Sequence, residues 1–292
     1  MKRQQGAWVG IRAFGALARR LPHESAVRLG AGLGLLAWFL SWKKVDAAEC
    51  RCVRALGVGV SEARRIVRES YKNHGRCAAE ILRMEVLGGR MEGMFTIHGE
   101  ENLREAYGKG KGVILLSAHL GNWELAASMV TRMGIPVEAI GAEQRDPRIT
   151  GLLFSLRASG GVTTIGKGLD LKGALRCLQG GKALAVLLDQ DAKQKGVIVP
   201  FMGRPASTPY GPVKMSWKLG TPIVPVFCIR RKDGFSYDLT FLPSLELPAG
   251  DGGEEAIKAA VEACNDVLGE WIARFPGQWM WLYPRWASTV GD

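Results

Sequence analysis

Residues 113–128 read VILLSAHLGNWELAAS and combine a short apolar strand with the beginning of a helix. The apolar run 113–116 is typical of a buried strand, and the pattern from Gly121 onward favours a helix. His119 lies in the turn between them. Open α/β sheets hold their ligands at the carboxyl ends of strands. The stretch therefore predicts an α/β fold with a functional histidine at one edge of its sheet.

Short apolar runs repeat this pattern along the chain. They lie at residues 95–97, 137–140, 183–188, 197–201, 223–229 and 237–242. Helical patterns separate several of them: Ser61 can cap a long helix, Asp146 caps one that begins at Pro147, and Asp170 can cap one that Gly180-Gly181 ends. This alternation predicts an α/β domain with a central, largely buried sheet flanked by helices.

The first fifty residues differ in composition from the rest. Residues 26–42, AVRLGAGLGLLAWFLSW, contain a single charge, and basic pairs flank them at 19–20 and 43–44. Seventeen residues are short for a bilayer span, which takes about 20, and no cleavage site of a secretory signal peptide is apparent. We predict a membrane-associated helical segment at 1–44, as a tilted span or a surface hairpin, before an α/β domain at 45–292. A helical hairpin packed on the core is the alternative.

The chain carries a net charge of +11 over 292 residues, with 39 Lys+Arg against 28 Asp+Glu. This balance serves solubility or, as we favour, indicates an anionic partner such as a membrane surface or an acidic substrate. No long basic run with interleaved aromatic residues occurs, so we expect no nucleic-acid partner. The six cysteines form no CxxC pair and no zinc-ligand spacing, and we expect buried thiols in a reducing compartment.

His119 and Glu124 form a His-x4-Glu pattern, and His119 alone among the four histidines has an acid five residues later. With His119 in the turn before the helix, we expect the Glu124 carboxylate to fold back onto its ring. A carboxylate on one ring nitrogen fixes the tautomer and leaves the other nitrogen as a base. Such a base can deprotonate a hydroxyl as the hydroxyl attacks an acyl group.

The segment SAHLGNWELA, at 117–126, resembles the active-site motif of the bacterial lipid A biosynthesis acyltransferases. These enzymes are similar to the wider His-x4-Asp/Glu glycerolipid acyltransferases. The resemblance covers nearly the whole chain through LLDQD at 187–191, VPFMGRPASTP at 199–209, IVPVFCIRR at 223–231 and PGQWMWLYPRW at 276–286.

The resemblance implies that His119 is the general base and that Glu124 is its partner. It places Arg157 near the active site, where it would bind an acceptor phosphate or the oxyanion, and it implies a substrate-binding role for Asp189. From the residues alone, Arg157 could equally be a surface residue. The alternating acids that begin at Asp189 are expected to orient a basic side chain rather than to hold a metal.

The resemblance also implies an O-acyltransferase of lipid A, and hence lipopolysaccharide, biosynthesis at the cytoplasmic face of the bacterial inner membrane. Its donor would be an acyl thioester of acyl carrier protein or CoA, and its acceptor a hydroxyl of an anionic glycolipid, a lipid A precursor. We expect neither a cofactor nor a metal. Family members commonly carry a histidine where this chain has YPR at 283–285, which leaves the acceptor open. The alternatives are another lipid or glycolipid acceptor, a thioesterase, and a non-catalytic membrane scaffold.

Overall fold

The structure, a computed structural model, describes residues 2–141, 144–166, 171–248 and 253–291. The helices are α1 Lys2–Arg20, α2 His23–Leu40, α3 Trp42–Leu56, α4 Val60–Ile81, α5 Met84–Leu87, α6 Glu100–Gly108, α7 Trp123–Arg132, α8 Pro147–Ser159, α9 Leu171–Gln179, α10 Gly211–Leu219 and α11 Glu254–Arg274. The strands are β1 Phe95–His98, β2 Val113–Ser117, β3 Val137–Ile140, β4 Thr163–Ile165, β5 Ala183–Leu187, β6 Val197–Phe201, β7 Arg204–Thr208, β8 Ile223–Arg230 and β9 Tyr237–Phe241.

Seven strands form one central sheet in the order β1-β9-β8-β2-β5-β3-β4. Neighbouring strands are parallel except for the β8–β9 pair, and β6 and β7 form a separate antiparallel pair. The mixed α/β architecture with a helix-flanked sheet is therefore confirmed, and each of the seven predicted strands is present. The sequence-based prediction did not include β4 and β7, because β4 has only three residues and β7 contains proline and polar residues.

The middle strands are buried on both faces. In β2, Ile114 and Leu116 belong to one apolar cluster, while Val113 and Leu115 belong to a second cluster with residues of α7. Burial on both faces explains why β2 and β8 are almost continuously apolar rather than alternating. The sheet thus separates two cores, and its carboxyl-end edge is left to carry polar side chains.

The N-terminal helices pack on the rest of the protein through glycines. A Cβ atom on Gly30 of α2 would collide with the carbonyl of Gly75 in α4, and one on Gly34 would collide with the carbonyl of Tyr71. These glycines let the two helix backbones approach closely, so α2 is seated against α4. The expected domain division at residue 44 falls within α3.

No single helix among the described residues is long and apolar enough to cross a bilayer. Helices α2 and α3 meet that requirement only as a pair, and they are bent by 95° relative to each other.

The N-terminal boundary of α4 differs from the sequence-based expectation. Helix α4 begins at Val60 with Gly59 as its N-cap, so the expected cap at Ser61 is wrong. The Asp146 cap is confirmed, since its carboxylate accepts a hydrogen bond from the Arg148 backbone N–H at 3.0 Å. Asp170 lies outside the described residues. The cysteines are free thiols, and all but Cys50 are buried.

Candidate active site

The turn that carries His119 has a backbone that depends on glycine. Gly121 has φ +65°, and a Cβ atom there would collide with the carbonyl oxygen of Cys228 on β8. The Asn122 backbone N–H donates to that same oxygen at 3.0 Å, and the Asn122 side chain caps α7 by accepting from the Leu125 N–H. Helix α7 therefore begins at Trp123, two residues later than expected, and the turn is tied to β8.

His119 meets Asp189 because β2 and β5 are adjacent parallel strands, with Ser117 opposite Leu187. The residues that follow both strands emerge at the same edge of the sheet. The imidazole Nδ1 lies 2.8 Å from Asp189 Oδ1, and the His119 backbone N–H donates to Oδ2 at 2.8 Å. An ionised carboxylate only accepts hydrogen bonds, so Nδ1 carries the proton and Nε2 the lone pair. The side-chain amide of Gln190 lies 3.4 Å from Nε2.

Asp189 is held as a carboxylate inside the protein, where it is 2% exposed. Burial opposes its ionisation, but its electrostatic interaction with His119 and the hydrogen bonds from His119 and Trp279 prevail, so its pKa lies below the ordinary value. The Trp279 indole N–H supplies one of these bonds, at 2.8 Å to Oδ2. Sequence reasoning missed this contact, because an indole donor to a distant carboxylate leaves no pattern in the sequence.

The expected contact between Glu124 and His119 is wrong. Glu124 lies in the first turn of α7 and forms a two-fold ion pair with Arg157 of α8, at 2.8 Å to Nε and 2.6 Å to Nη2. The imidazole is turned toward β5 instead, where Asp189 already occupies Nδ1. The Glu124 and Arg157 side chains are only 10% and 16% exposed, so Arg157 is not a surface residue. Burial alone would lower the pKa of Arg157, but the hydrogen bonds and charge of Glu124 raise it.

Asp189, which was expected to bind substrate, contacts the protein through both carboxylate oxygens. Both carboxylate oxygens already accept hydrogen bonds from the protein, from His119 and Trp279. The geometry instead makes Asp189 the group that orients the imidazole. The sequence had suggested that an acid here orients a basic side chain, and the side chain that it contacts is His119.

A narrow apolar cavity begins beside the histidine. The Trp123 ring touches His119, with ring centroids 4.8 Å apart, and lines the cavity together with the Glu124–Arg157 pair. The remaining lining is mostly apolar and comes from β2, β3, β5, β8 and α7, as in Leu115, Ala126, Val130, Ala139, Ile140, Ala185 and Val226. Its volume is only about 50 Å³, so a larger guest must displace some of these side chains.

A buried polar network braces the turn from the side of α4. Arg230 forms a two-fold ion pair with Glu80 at 2.8 and 2.7 Å, and Glu80 also accepts from the Asn122 amide and the Tyr237 hydroxyl. The Asn73 amide donates to the Gly121 carbonyl at 3.2 Å. Sequence reasoning missed this network. Its visible signal is an acid, Glu80, on the buried and mostly apolar face of α4.

Within the described ranges, no three His, Cys, Asp or Glu side chains lie close enough together to hold a metal ion.

Comparison with known proteins gives a match over almost the whole chain. A family model described as bacterial lipid A biosynthesis acyltransferase matches residues 1–288. The chain is similar to a phosphatidylinositol mannoside acyltransferase of Mycobacterium tuberculosis (strain CDC 1551 / Oshkosh), with 23% identity covering 98% of this chain and 88% of that protein. It is also similar to a lipid A biosynthesis lauroyltransferase of Escherichia coli (strain K12), with 26% identity covering 96% of this chain and 91% of that protein.

Proposed function

Since the chain belongs to the bacterial lipid A biosynthesis acyltransferase family, it is an O-acyltransferase, and we propose that His119 is its general base. The observation that carries this proposal is the Asp189–His119 hydrogen bond at the carboxyl end of β2, which leaves Nε2 unprotonated. The reaction proposed is transfer of a fatty acyl group from a thioester to a hydroxyl of a membrane glycolipid.

The proposed reaction begins when Nε2 of His119 removes the proton from the acceptor hydroxyl. The oxygen then forms a bond to the thioester carbonyl carbon, and a tetrahedral oxyanion results. As the carbonyl re-forms, the carbon–sulfur bond breaks, and the departing sulfur takes the proton from the imidazolium. The buried carboxylate of Asp189 stabilises the imidazolium between these two steps. The products are an ester and a free thiol.

We propose that the acyl chain enters the apolar cavity behind Trp123, between α7 and the sheet. The cavity is polar only near Ser117 and the Glu124–Arg157 pair, so the chain would lie among apolar side chains with its carbonyl close to Arg157. Glu124 occupies the Nε and Nη2 atoms of Arg157. We therefore assign Arg157, oriented by Glu124, to the developing oxyanion. In this arrangement Glu124 is a positioning residue and not the partner of the base.

The acceptor we propose is a lipid A precursor, and the second candidate is a glycolipid of the phosphatidylinositol mannoside type. The names of the relatives support both. For the donor we propose acyl carrier protein, whose acidic surface suits a chain of net charge +11, with acyl-CoA as the alternative.

We also propose attachment to the cytoplasmic face of the inner membrane. The support lies at the corner between α2 and α3, where Phe39, Leu40 and Trp42 are 74%, 69% and 63% exposed beside two lysines. Aromatic and apolar side chains next to basic residues are typical of proteins that insert into a membrane interface.

The test is product analysis with purified full-length protein, one acyl-carrier-protein donor and the two acceptors. Wild type should yield acylated glycolipid, and His119→Ala should lower turnover by about 10²–10⁴-fold. His98→Ala is the matched control, because the His98 side chain is exposed and lies 2.9 Å from the surface carboxylate of Asp238. Free fatty acid as the product would indicate a thioesterase, and full activity of a folded His119→Ala protein would refute the base assignment.

A further inference from the structure

A basic groove lies along α4. It has a volume of about 500 Å³, and α4, the end of β8 with the turn that follows, and residues 275–278 line it. Its ionisable residues comprise five bases and two acids: Arg65, Arg76, Arg230, Arg231, Lys232, Glu62 and Glu69. Basic side chains therefore outnumber acidic ones in its lining.

Three of its five basic side chains are already neutralised. Arg230 pairs with Glu80 at 2.7 Å, Arg231 with Asp238 at 2.6 Å, and Arg65 with its helix neighbour Glu62 at 3.2 Å. An anionic ligand could gain little from these guanidinium groups without first breaking their ion pairs.

Arg76 and Lys232 are different, because neither forms an ion pair with any residue that the structure describes. Arg76 is half-buried. Burial lowers its pKa, and the neighbouring positive charge of Arg230 lowers it further, against a weaker opposing effect of Glu69. A half-buried cation without a partner destabilises a fold unless an anion compensates it.

We propose that the basic groove binds a phosphate group of a membrane amphiphile, with Arg76 and Lys232 as its ligands. The proposal deepens the proposed function and rests on it, because the amphiphile would be the acyl acceptor. Arg157, the residue first expected to bind an acceptor phosphate, is committed to Glu124. The basic groove instead offers two cations, Arg76 and Lys232, that form no ion pair with the described residues.

The groove is connected to the turn that carries the proposed base. Asn73 and Gln278 both line the groove. The Asn73 amide donates a hydrogen bond to the Gly121 carbonyl. The Gly121 backbone N–H in turn donates to the Gln278 carbonyl at 3.2 Å. A phosphate in the groove would thus lie behind a turn that holds His119 two residues away.

The groove also extends toward the apolar corner proposed to enter the membrane. Glu62 and Arg65, at the start of α4, line one end of it. Arg64, their neighbour on the same helix turn, lies over the ring of Trp38 near the end of α2, 5.5 Å from its centroid. A lipid whose chains remain in the bilayer could therefore present its headgroup phosphate to the groove, and this favours a membrane amphiphile over a soluble phosphate.

The experiment measures binding by isothermal titration calorimetry, with no acyl transfer required. The probes are dihexanoyl phosphatidic acid, dihexanoyl phosphatidylcholine and CoA, each below its aggregation limit. Wild type should bind the phosphatidic acid more tightly than the choline lipid. Arg76→Gln and Lys232→Gln should each weaken phosphatidic acid binding by about tenfold, as expected for one charge-assisted contact. Arg104→Gln is the matched control, since Arg104 is exposed on α6 and should leave binding unchanged.

Melting temperatures separate ligand binding from a structural role. Loss of an unpaired charge should leave the melting temperature of Arg76→Gln unchanged or higher, whereas a structural arginine would lower it. Lys232 is exposed, so its variant reports on binding without risk to the fold. Equal affinity of wild type for both lipids, or unchanged phosphatidic acid binding in both variants, would overturn the proposal. An equal loss of CoA affinity would overturn it too, by assigning the groove to the donor.

These outcomes are independent of the proposed chemistry. Selective phosphatidic acid binding without acyl transfer to any acceptor would count against the proposed function alone. Acyl transfer with an acceptor KM that Arg76→Gln and Lys232→Gln leave unchanged would count against the groove alone.

Discussion

His119 and Asp189 form one hydrogen-bonded pair in this structure, while Glu124 and Arg157 form a second. The distinction rests on which carboxylate reaches the imidazole, and the 2.8 Å contact belongs to Asp189. A group that orients a base has no effect once the base is removed. The effects on activity of substituting both members of one pair should therefore be far from additive.

We therefore predict that Asp189→Asn lowers kcat/KM by at least about 10²-fold and adds little to His119→Ala. Glu124→Gln should instead be non-additive with Arg157→Gln, because these two side chains form the other ion pair. The measurement is kcat/KM for the four single variants and the two doubles, with circular dichroism to verify folding. A Glu124→Gln effect that vanishes in the His119→Ala background would restore Glu124 as the partner of the base.

The burial of His74 predicts a pH dependence of the folding stability. Its Nδ1–H donates to the Ser70 carbonyl, and its Nε2 is buried with no partner among the described residues. Burial lowers its pKa from 6.5 to about 4. Between these pH values the unfolded chain binds a proton that the folded protein does not, so folding stability falls as the pH drops from 6.5 toward 4.

Between pH 6.5 and 4, we expect His74 to lower the free energy of unfolding by up to about 1.4 kcal/mol for each pH unit of acidification. The measurement is the free energy of unfolding of wild type and His74→Phe in urea at several pH values from 7 to 4. The variant lacks the titrating ring and should show a shallower decline. Parallel curves for the two proteins would show that His74 does not titrate as its burial implies.

At the scale of single elements, the turn from β2 to α7 depends on one glycine more than on any side chain. Gly121 combines a positive φ with a carbonyl oxygen that occupies the place of a Cβ atom. Gly57, at the end of α3, has almost the same φ, +66°, with no atom within 4 Å of a Cβ. Comparing alanine substitutions at Gly121 and Gly57 therefore separates the cost of a positive φ from the cost of the close approach of β8.

Gly121→Ala should destabilise the protein by about 2 kcal/mol or more and lower acyl transfer, because the turn must move away from Cys228. Gly57→Ala should cost only about 1 kcal/mol, the strain of a left-handed alanine, and should leave activity unchanged. Thermal or urea unfolding together with turnover measures both effects. Equal losses in the two variants would show that the contact with β8 does not constrain the turn.

At the scale of the whole molecule, the three N-terminal helices form part of one body with the sheet domain. Helix α2 is seated on α4 through Gly30, Gly34 and Gly75. Deleting residues 1–44 would test membrane attachment poorly, because it would expose the face of α4 that α2 covers. A change in how the protein sediments with membranes would then reflect misfolding as well as lost attachment. Point substitutions at the corner between α2 and α3 test membrane binding without that complication.

The triple variant Phe39→Ser, Leu40→Ser and Trp42→Ser should move protein from the vesicle pellet to the supernatant, with the fold intact. The vesicles contain phosphatidylethanolamine and phosphatidylglycerol, and sedimentation is measured against lipid concentration. The matched control replaces three apolar side chains that are exposed elsewhere: Val86, Leu171 and Ile198. Undiminished sedimentation of the corner variant would show that another surface attaches the protein.

The sequence alone determined the class of fold and the location of the histidine. Buried strands are apolar along their whole length, so β2, β5 and β8 were visible from composition, and a polar turn after such a strand marked His119. Elements with little apolar surface left no such signal, which is why β4 and β7 were missed.

The partners of the site residues depend on tertiary packing and could not be found from the sequence. The spacing His-x4-Glu suggested a local pair, but strand pairing brought Asp189, 70 positions away, to the imidazole, and helix packing brought Arg157 to Glu124. A sequence pattern shows which side chains are close along the chain. The register of parallel strands and the packing of helices determine which are close in space, and those depend on contacts summed over the whole core.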